Sequence, residues 1–281
     1  MKSSFKLIKP LILSLIILGT TSCKRNIDED VELDVDTSIM VVDAQVEVSM
    51  ADIDNIADQA EVFTSVTKKT EDVLSCAVLT KDTTFGSSYD TVNIVVDFGT
   101  SNCEGIDGHN RKGIIKVTSV LDKITRFKKE RKIETVDYYM NDIKIECGRK
   151  LSYVGKNSSN QYYWNLSATS KIFYSSTESA TFNNERTYTF TSGITTPLDI
   201  SDDQWMIEGD GAGTRKDGNN YTVLITEPLI KVGDCIYIQE GKIKYTVDNA
   251  RDFTIDYGAG TGCDNKADLI YDGGTKVITI D

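Results

Sequence analysis

The chain has 281 residues, of which 40% are hydrophobic and 26% charged, and it carries a formal net charge of −12. Such a composition belongs to an ordinary globular protein with a substantial core. The acidic excess disfavours nucleic acid and bare anionic surfaces as partners of the chain as a whole.

The first element is a short apolar run, Leu11 to Leu18, preceded by Lys2, Lys6 and Lys9 and followed by small residues up to Cys23. Basic, apolar and small regions in that order make a secretory signal, and the run is too short to span a bilayer as a mature helix. The segment resembles a bacterial lipoprotein signal, although Thr20 stands where such signals usually carry Leu. That resemblance implies removal of residues 1–22 and acylation of Cys23. The product would be an outer-membrane lipoprotein, surface-exposed or on the periplasmic face, with lipid as its only anchor. Cleavage removes three of the 31 basic residues and none of the 43 acidic ones, so the mature chain is more acidic still.

Residues 23–50 read as an acidic tether and lead-in. The acidic cluster after Cys23 resembles the surface-export signal of lipoproteins from Bacteroidetes-type bacteria, and a plain charged linker fits the composition equally well. A helix is expected over 51–72, where Ile53, Ile56, Ala57, Ala60 and Phe63 fall at helical spacing. From Val73 the period changes to two. Strands are expected at 91–98, 114–120, 134–139, 143–147, 151–155, 161–168, 170–174, 186–191, 221–226, 235–239, 242–247, 251–257 and 276–280. Turn residues separate them, including Gly86-Ser87-Ser88, Asp210-Gly211-Ala212-Gly213 and Asp272-Gly273-Gly274. The expected fold is mainly β: an antiparallel, sandwich-like body with a short N-terminal helix, its two β units covering 73–150 and 151–281.

Those units contain a repeat. Cys76, Asp97-Phe98-Gly99, Cys103, Gly113 and Lys116-Val117 match Cys235, Asp256-Tyr257-Gly258, Cys263, Gly273 and Lys276-Val277. The cysteine-to-Asp spacing is the same in both copies, as are the spacings from the second cysteine to Gly and to Val. Like copies should pair alike, so the repeat predicts disulfides Cys76–Cys103 and Cys235–Cys263 in an exported protein; a cytoplasmic one would leave all the cysteines free. Cys147 is left over, as a buried strand thiol or an intermolecular partner. The recurring Asp reads as a cap on the turn that each disulfide closes.

The same residues, with Arg111-Lys112-Gly113-Ile114-Ile115 and Val136-Asp137-Tyr138-Tyr139-Met140-Asn141, resemble a family of uncharacterised lipoproteins from Bacteroidetes-type bacteria. The resemblance spans most of residues 73–281, with Cys147 where Gly is more usual. It implies export, lipidation and β structure, and no activity.

Catalytic motifs are sparse. His109, the one histidine, sits in a Gly/Asp-rich turn without a nucleophile elbow anywhere in the chain. The cysteines are too widely spaced for a zinc set, and no cofactor is expected. Gly209–Gly213 and Gly258–Gly262 open no helix, so neither is read as a phosphate loop. Two surface candidates stand out. A basic run containing Lys128, Lys129 and Arg131 could grip a glycan or an acidic partner, or could be a charged edge guarding against aggregation. In Tyr162-Tyr163-Trp164, one face should be core, and the other could stack on a sugar. The expected function is a lipid-anchored, non-catalytic binding or structural role, with a glycan or protein partner. A glycan-acting enzyme using paired carboxylates, or a carbohydrate-binding module, is the alternative.

Overall fold

A computed structural model describes residues 37–63, 73–124, 127–196, 199–233, 235–259 and 262–280. The signal segment, Cys23, the tether before Thr37 and positions 64–72 of the expected helix lie outside the described residues.

One helix, α1 (Thr37–Phe63), is followed by fourteen strands. These are β1 (Val78–Phe85), β2 (Tyr89–Asp97), β3 (Cys103–Glu104), β4 (Asn110–Asp122), β5 (Lys128–Met140), β6 (Ile143–Lys156) and β7 (Tyr162–Phe173), then β8 (Ser179–Ser192), β9 (Gln204–Thr214), β10 (Asn220–Val232), β11 (Glu240–Val247), β12 (Phe253–Ala259), β13 (Lys266–Tyr271) and β14 (Gly274–Thr279). All belong to a single antiparallel sheet that runs in chain order from β1 to β14, with only the short β3 off the path beside β4. The sheet is not closed, so β1 and β14 are its edges. The mainly antiparallel β body with one N-terminal helix is as expected, and its strands form one continuous meander.

The sheet curves around the helix. Side chains on β4, β5, β6, β8 and β10 all reach α1. Along α1, Val46, Ile53, Ile56, Ala57 and Ala60 are buried, and so are the polar Glu47, Asp52, Asn55 and Gln59. A helix buried on every side has no single apolar stripe. That is why the sequence pattern placed its start at residue 51, whereas the helix begins at Thr37, inside the expected lead-in of 23–50. Its Val-rich opening has weak intrinsic helix propensity.

Period-two burial is clean where it matters. On β7, Trp164, Leu166, Ala168, Ser170 and Ile172 face inward and alternate with outward residues. The pairs 143–147 with 151–155, and 161–168 with 170–174, are each one long strand; β1, β3, β9 and β13 were not expected, and 235–239 is not strand. The Asp210–Gly213 stretch, read as a turn, lies inside β9. Gly213 pairs with Phe182 on one side and Tyr221 on the other, and those two rings stack across it with centroids 6.3 Å apart. A Cβ on Gly213 would meet the Thr181 carbonyl and the Tyr221 ring, so glycine serves the packing there and not a turn.

Both disulfides form as the repeat implies, Cys76–Cys103 and Cys235–Cys263. Their 27- and 28-residue separations correspond to about 3–4 kcal/mol each by loop-closure entropy. The Asp caps also match. Asp97 Oδ1 accepts the Gly99 N–H at 2.8 Å, and Asp256 Oδ1 accepts the Gly258 N–H at 2.9 Å. Gly99 and Gly258 have φ of 80° and 81°, a conformation open to glycine. Structural equivalence ends there: Gly113 and Val117 lie within β4, whereas Gly273 turns the β13–β14 hairpin. Cys147 is a free thiol buried in β6, its Sγ 3.8 Å from Met50 Sδ, and burial raises its pKa.

Candidate functional site

The inner face of the sheet carries arginines at positions whose strand parity is otherwise apolar, and α1 carries carboxylates opposite them. Arg186 of β8 holds Glu47 through two hydrogen bonds of 2.7 and 2.5 Å. Arg111 of β4 is fully buried and bridges Asp52 on the helix to Asp107 in the preceding turn. Tyr138 adds an O–H bond of 3.1 Å to Asp52. A bulge near Val136 and Asp137 shifts the parity of β5 so that Tyr138 and Met140 face inward and this contact can form. Arg149 of β6 meets Asp54 at 2.7 Å.

At the far end of the helix, Asp58 lies 2.7 Å from Arg131 and 3.6 Å from Lys231, while Glu61 contacts Lys128 and Ser119. Burial alone would raise the Asp58 carboxyl, but Arg131, Lys231 and Lys128 outweigh it and hold the pKa below its ordinary value. Glu61 is lowered in the same way, against burial, by Lys128 and Arg131. Burial opposes the Arg131 charge too, and Asp58, Glu61 and Asp54 keep that guanidinium well above its ordinary pKa.

This arrangement places the basic run read from the sequence. Arg131 is buried against Asp58, and Lys128 reaches Glu61 because a bulge between Val120 and Leu121 pairs Lys128 with Leu121. Lys129 lies with its ammonium 4.5 Å from the centre of the Tyr153 ring. Trp164 points inward, donates its indole N–H to the Lys128 carbonyl at 3.2 Å, and packs on Phe127 and Trp205. Tyr163 is on the outer face, between Gly155 and Thr189. His109 is buried in its turn with Nδ1 3.0 Å from the Asn141 amide.

Inside, a cavity of about 40 Å³ is lined by Asp54, Asp58, Arg131, Arg149, Tyr188 and Lys231. It is on the scale of a few water molecules and far too small for a sugar or nucleotide. Outside, the curved sheet forms open depressions. One of about 600 Å³ crosses β4 to β8 and is lined by Lys116, Glu134, Glu146, Thr169, Lys171 and Asn183, with Gly148 among its lining residues. A second, of about 510 Å³, continues from Asn183 across β9 and β10 past Glu185, Asp210, Ala212 and Thr222. Hydroxyls, amides and both signs of charge line the first depression, and the second adds the apolar Val223 and Leu224 to its polar members, so the two make one mixed groove across the outer face. Among the described residues no group of three His, Cys, Asp or Glu could hold a metal ion, and no helix is long and apolar enough to cross a membrane.

The sequence pattern left both the arginine ladder and the groove unread. The ladder did have a signal: Arg131-x-Ile133 and Arg149-x-Leu151 put arginine on the same face as core residues. The groove had none, because its members come from seven strands. No protein-family model, curated protein sequence or solved structure matches this chain.

Proposed function

We propose that this is a lipid-anchored, non-catalytic protein of the bacterial cell envelope, held through Cys23, that binds a polyhydroxylated ligand of the glycan class on its outer face. The observation that carries the binding reading is the division between the two faces. The inner face is filled by α1 and its ion pairs, with room on the scale of waters only, while the outer groove offers donors and acceptors across seven strands. Carbohydrate hydroxyls match a lining of Thr, Asn, Lys and Glu, which can donate and accept at closely spaced points.

Two disulfides belong to an oxidising compartment, which supports export. The lipoprotein-like signal and the resemblance to Bacteroidetes-type lipoproteins support the anchor. Labelling with palmitate in a bacterial host should mark the chain, and Cys23→Ala should abolish the label.

A glycan array probed with residues 24–281 tests the ligand class. Saturable binding that Asn183→Ala and Lys171→Ala weaken, without product formation, is the expected result. Turnover that Glu134→Gln or Glu146→Gln abolishes would replace binding with hydrolysis. Absence of both would leave a structural role.

A further inference from the structure

We propose that the hairpin tips at the β1–β7 side of one sheet end form a docking surface for an anionic lipid interface. It rests on the envelope location proposed above and adds a second, protein-borne contact to the acyl anchor. In the meander, the β1–β2, β4–β5 and β6–β7 turns all emerge at the same end of the sheet. Apolar side chains project there with little cover: Phe85 is 76% exposed, Ile124 92%, Tyr89 48% and Val154 47%.

These tips are tied into one rim. Lys123 donates its backbone N–H to the Ser88 carbonyl and its ammonium to the Gly86 carbonyl, each at 3.0 Å, joining the first two hairpins. Phe127 then packs on Tyr153 and Tyr162, with ring centroids 4.7 and 4.9 Å away, joining the second to the third. Lys129 and Lys156 lay their ammonium groups over the Tyr153 and Tyr162 rings. Aromatic bodies topped by lysines are the side-chain set that partitions at a membrane surface, stems in the apolar layer and ammonium groups among the head groups.

Charge separates this rim from the rest of the molecule. Among the described residues, Lys123, Lys129 and Lys156 give this rim its positive charge, with no carboxylate paired to them, whereas the Asp122 carboxylate is turned back to accept the Ile124 N–H at 3.1 Å and Glu130 sits beside Lys132 and Lys150. The turns at the opposite end carry Asp107, Asp142, Glu178, Asp217, Asp248 and Asp272. A net charge of −12 repels an anionic surface on average, and Asp199, Asp202 and Asp264 lie in turns at the same end beyond β8, so docking at such a surface would tilt the β1–β7 rim toward it and the acidic turns away. Shape points to lipid over a protein partner. Phe85 and Ile124 are protruding points, not a pocket, and a fluid interface accepts points where a protein anchor needs a matching cavity.

The test uses the chain without its first 23 residues, which retains every described element and lacks the acylation site. Flotation with phosphatidylcholine vesicles containing about one-third phosphatidylglycerol should carry the protein, with at least about tenfold weaker binding to phosphatidylcholine alone and in high salt. Phe85→Ser with Ile124→Ser should weaken the binding about tenfold while the melting temperature stays that of the parent. Equal flotation of parent and variant would overturn the proposal. So would no flotation of either, or a concentration-dependent dimer that the same variant abolishes. Palmitate labelling of the full chain reports on Cys23 separately, so loss of the anchor reading and loss of the docking reading are distinguishable.

Discussion

On the inner face of the sheet, the cations that meet α1 are chiefly arginines: Arg111, Arg131, Arg149 and Arg186. On the outer face they are lysines, with Lys144 beside Asp137 and Glu146, Lys150 beside Glu130, and Lys242 beside Glu227. The difference follows from hydration. A guanidinium is weakly hydrated, planar and able to bond two carboxylates at once, as Arg111 does with Asp52 and Asp107, so it can be buried with its partners satisfied. An ammonium is more strongly hydrated and is mostly left where water reaches it, Lys231 beside Asp58 being the buried exception. The same pairing of opposite charges therefore locks the helix on one side and contributes little on the other.

The largest effect expected from breaking this contrast is at Arg111. Arg111→Ala strands the fully buried Asp52 without its counter-ion and should cost about 3–5 kcal/mol in urea denaturation. Arg111→Met with Asp52→Leu should recover most of that loss, because an apolar pair removes the stranded charge.

Gly213→Ala probes the packing of the inner face, not its charge. The added methyl group meets the Thr181 carbonyl and the Tyr221 ring, and the expected loss is about 1–3 kcal/mol, with a matching fall in melting temperature.

A pH effect comes next, in the turn between β8 and β9. Burial, reinforced by Asp58 and Asp202, pushes the Asp203 pKa up to about 7. The native state then holds a proton that the unfolded chain releases near pH 4, so this contribution to stability falls as pH rises toward 7 and beyond. Asp58 and Glu61, whose pKa values are lowered, act oppositely and lose their contribution on acidification. Asp203→Asn should therefore stabilise the protein more at pH 8 than at pH 5, measured by thermal melts at both values. A gain of the same size at both pH values would show that Asp203 is not neutral in the fold.

The smallest effect is expected outside. Lys171→Ala and Glu134→Gln should each shift stability by no more than about 0.5 kcal/mol, whatever they do to ligand binding. A larger loss at either position would mean that the outer groove is part of the framework and would weaken its reading as a ligand surface.

Several features could be read one residue at a time. The matched spacing of Cys76, Asp97, Cys235 and Asp256 specified two disulfides and two Asp-capped turns, because both depend on short segments and local geometry. The β class followed from period-two alternation for the same reason. Lys128, Arg131 and Trp164 went differently. As a run of charge and an aromatic triplet with one face open to a ligand they were candidates for a surface, yet all three turn inward.

The sequence by itself determined the β class, which cysteines join and how two turns are capped. Only the tertiary structure decided that the helix begins at Thr37, that its acids face a ladder of arginines, and that the groove lies on the outer face. Those features depend on bulges that shift strand parity and on side chains from strands far apart in the chain. Local sequence carries the period of a strand, but the face it turns to the helix is set only when the whole open sheet curves around it.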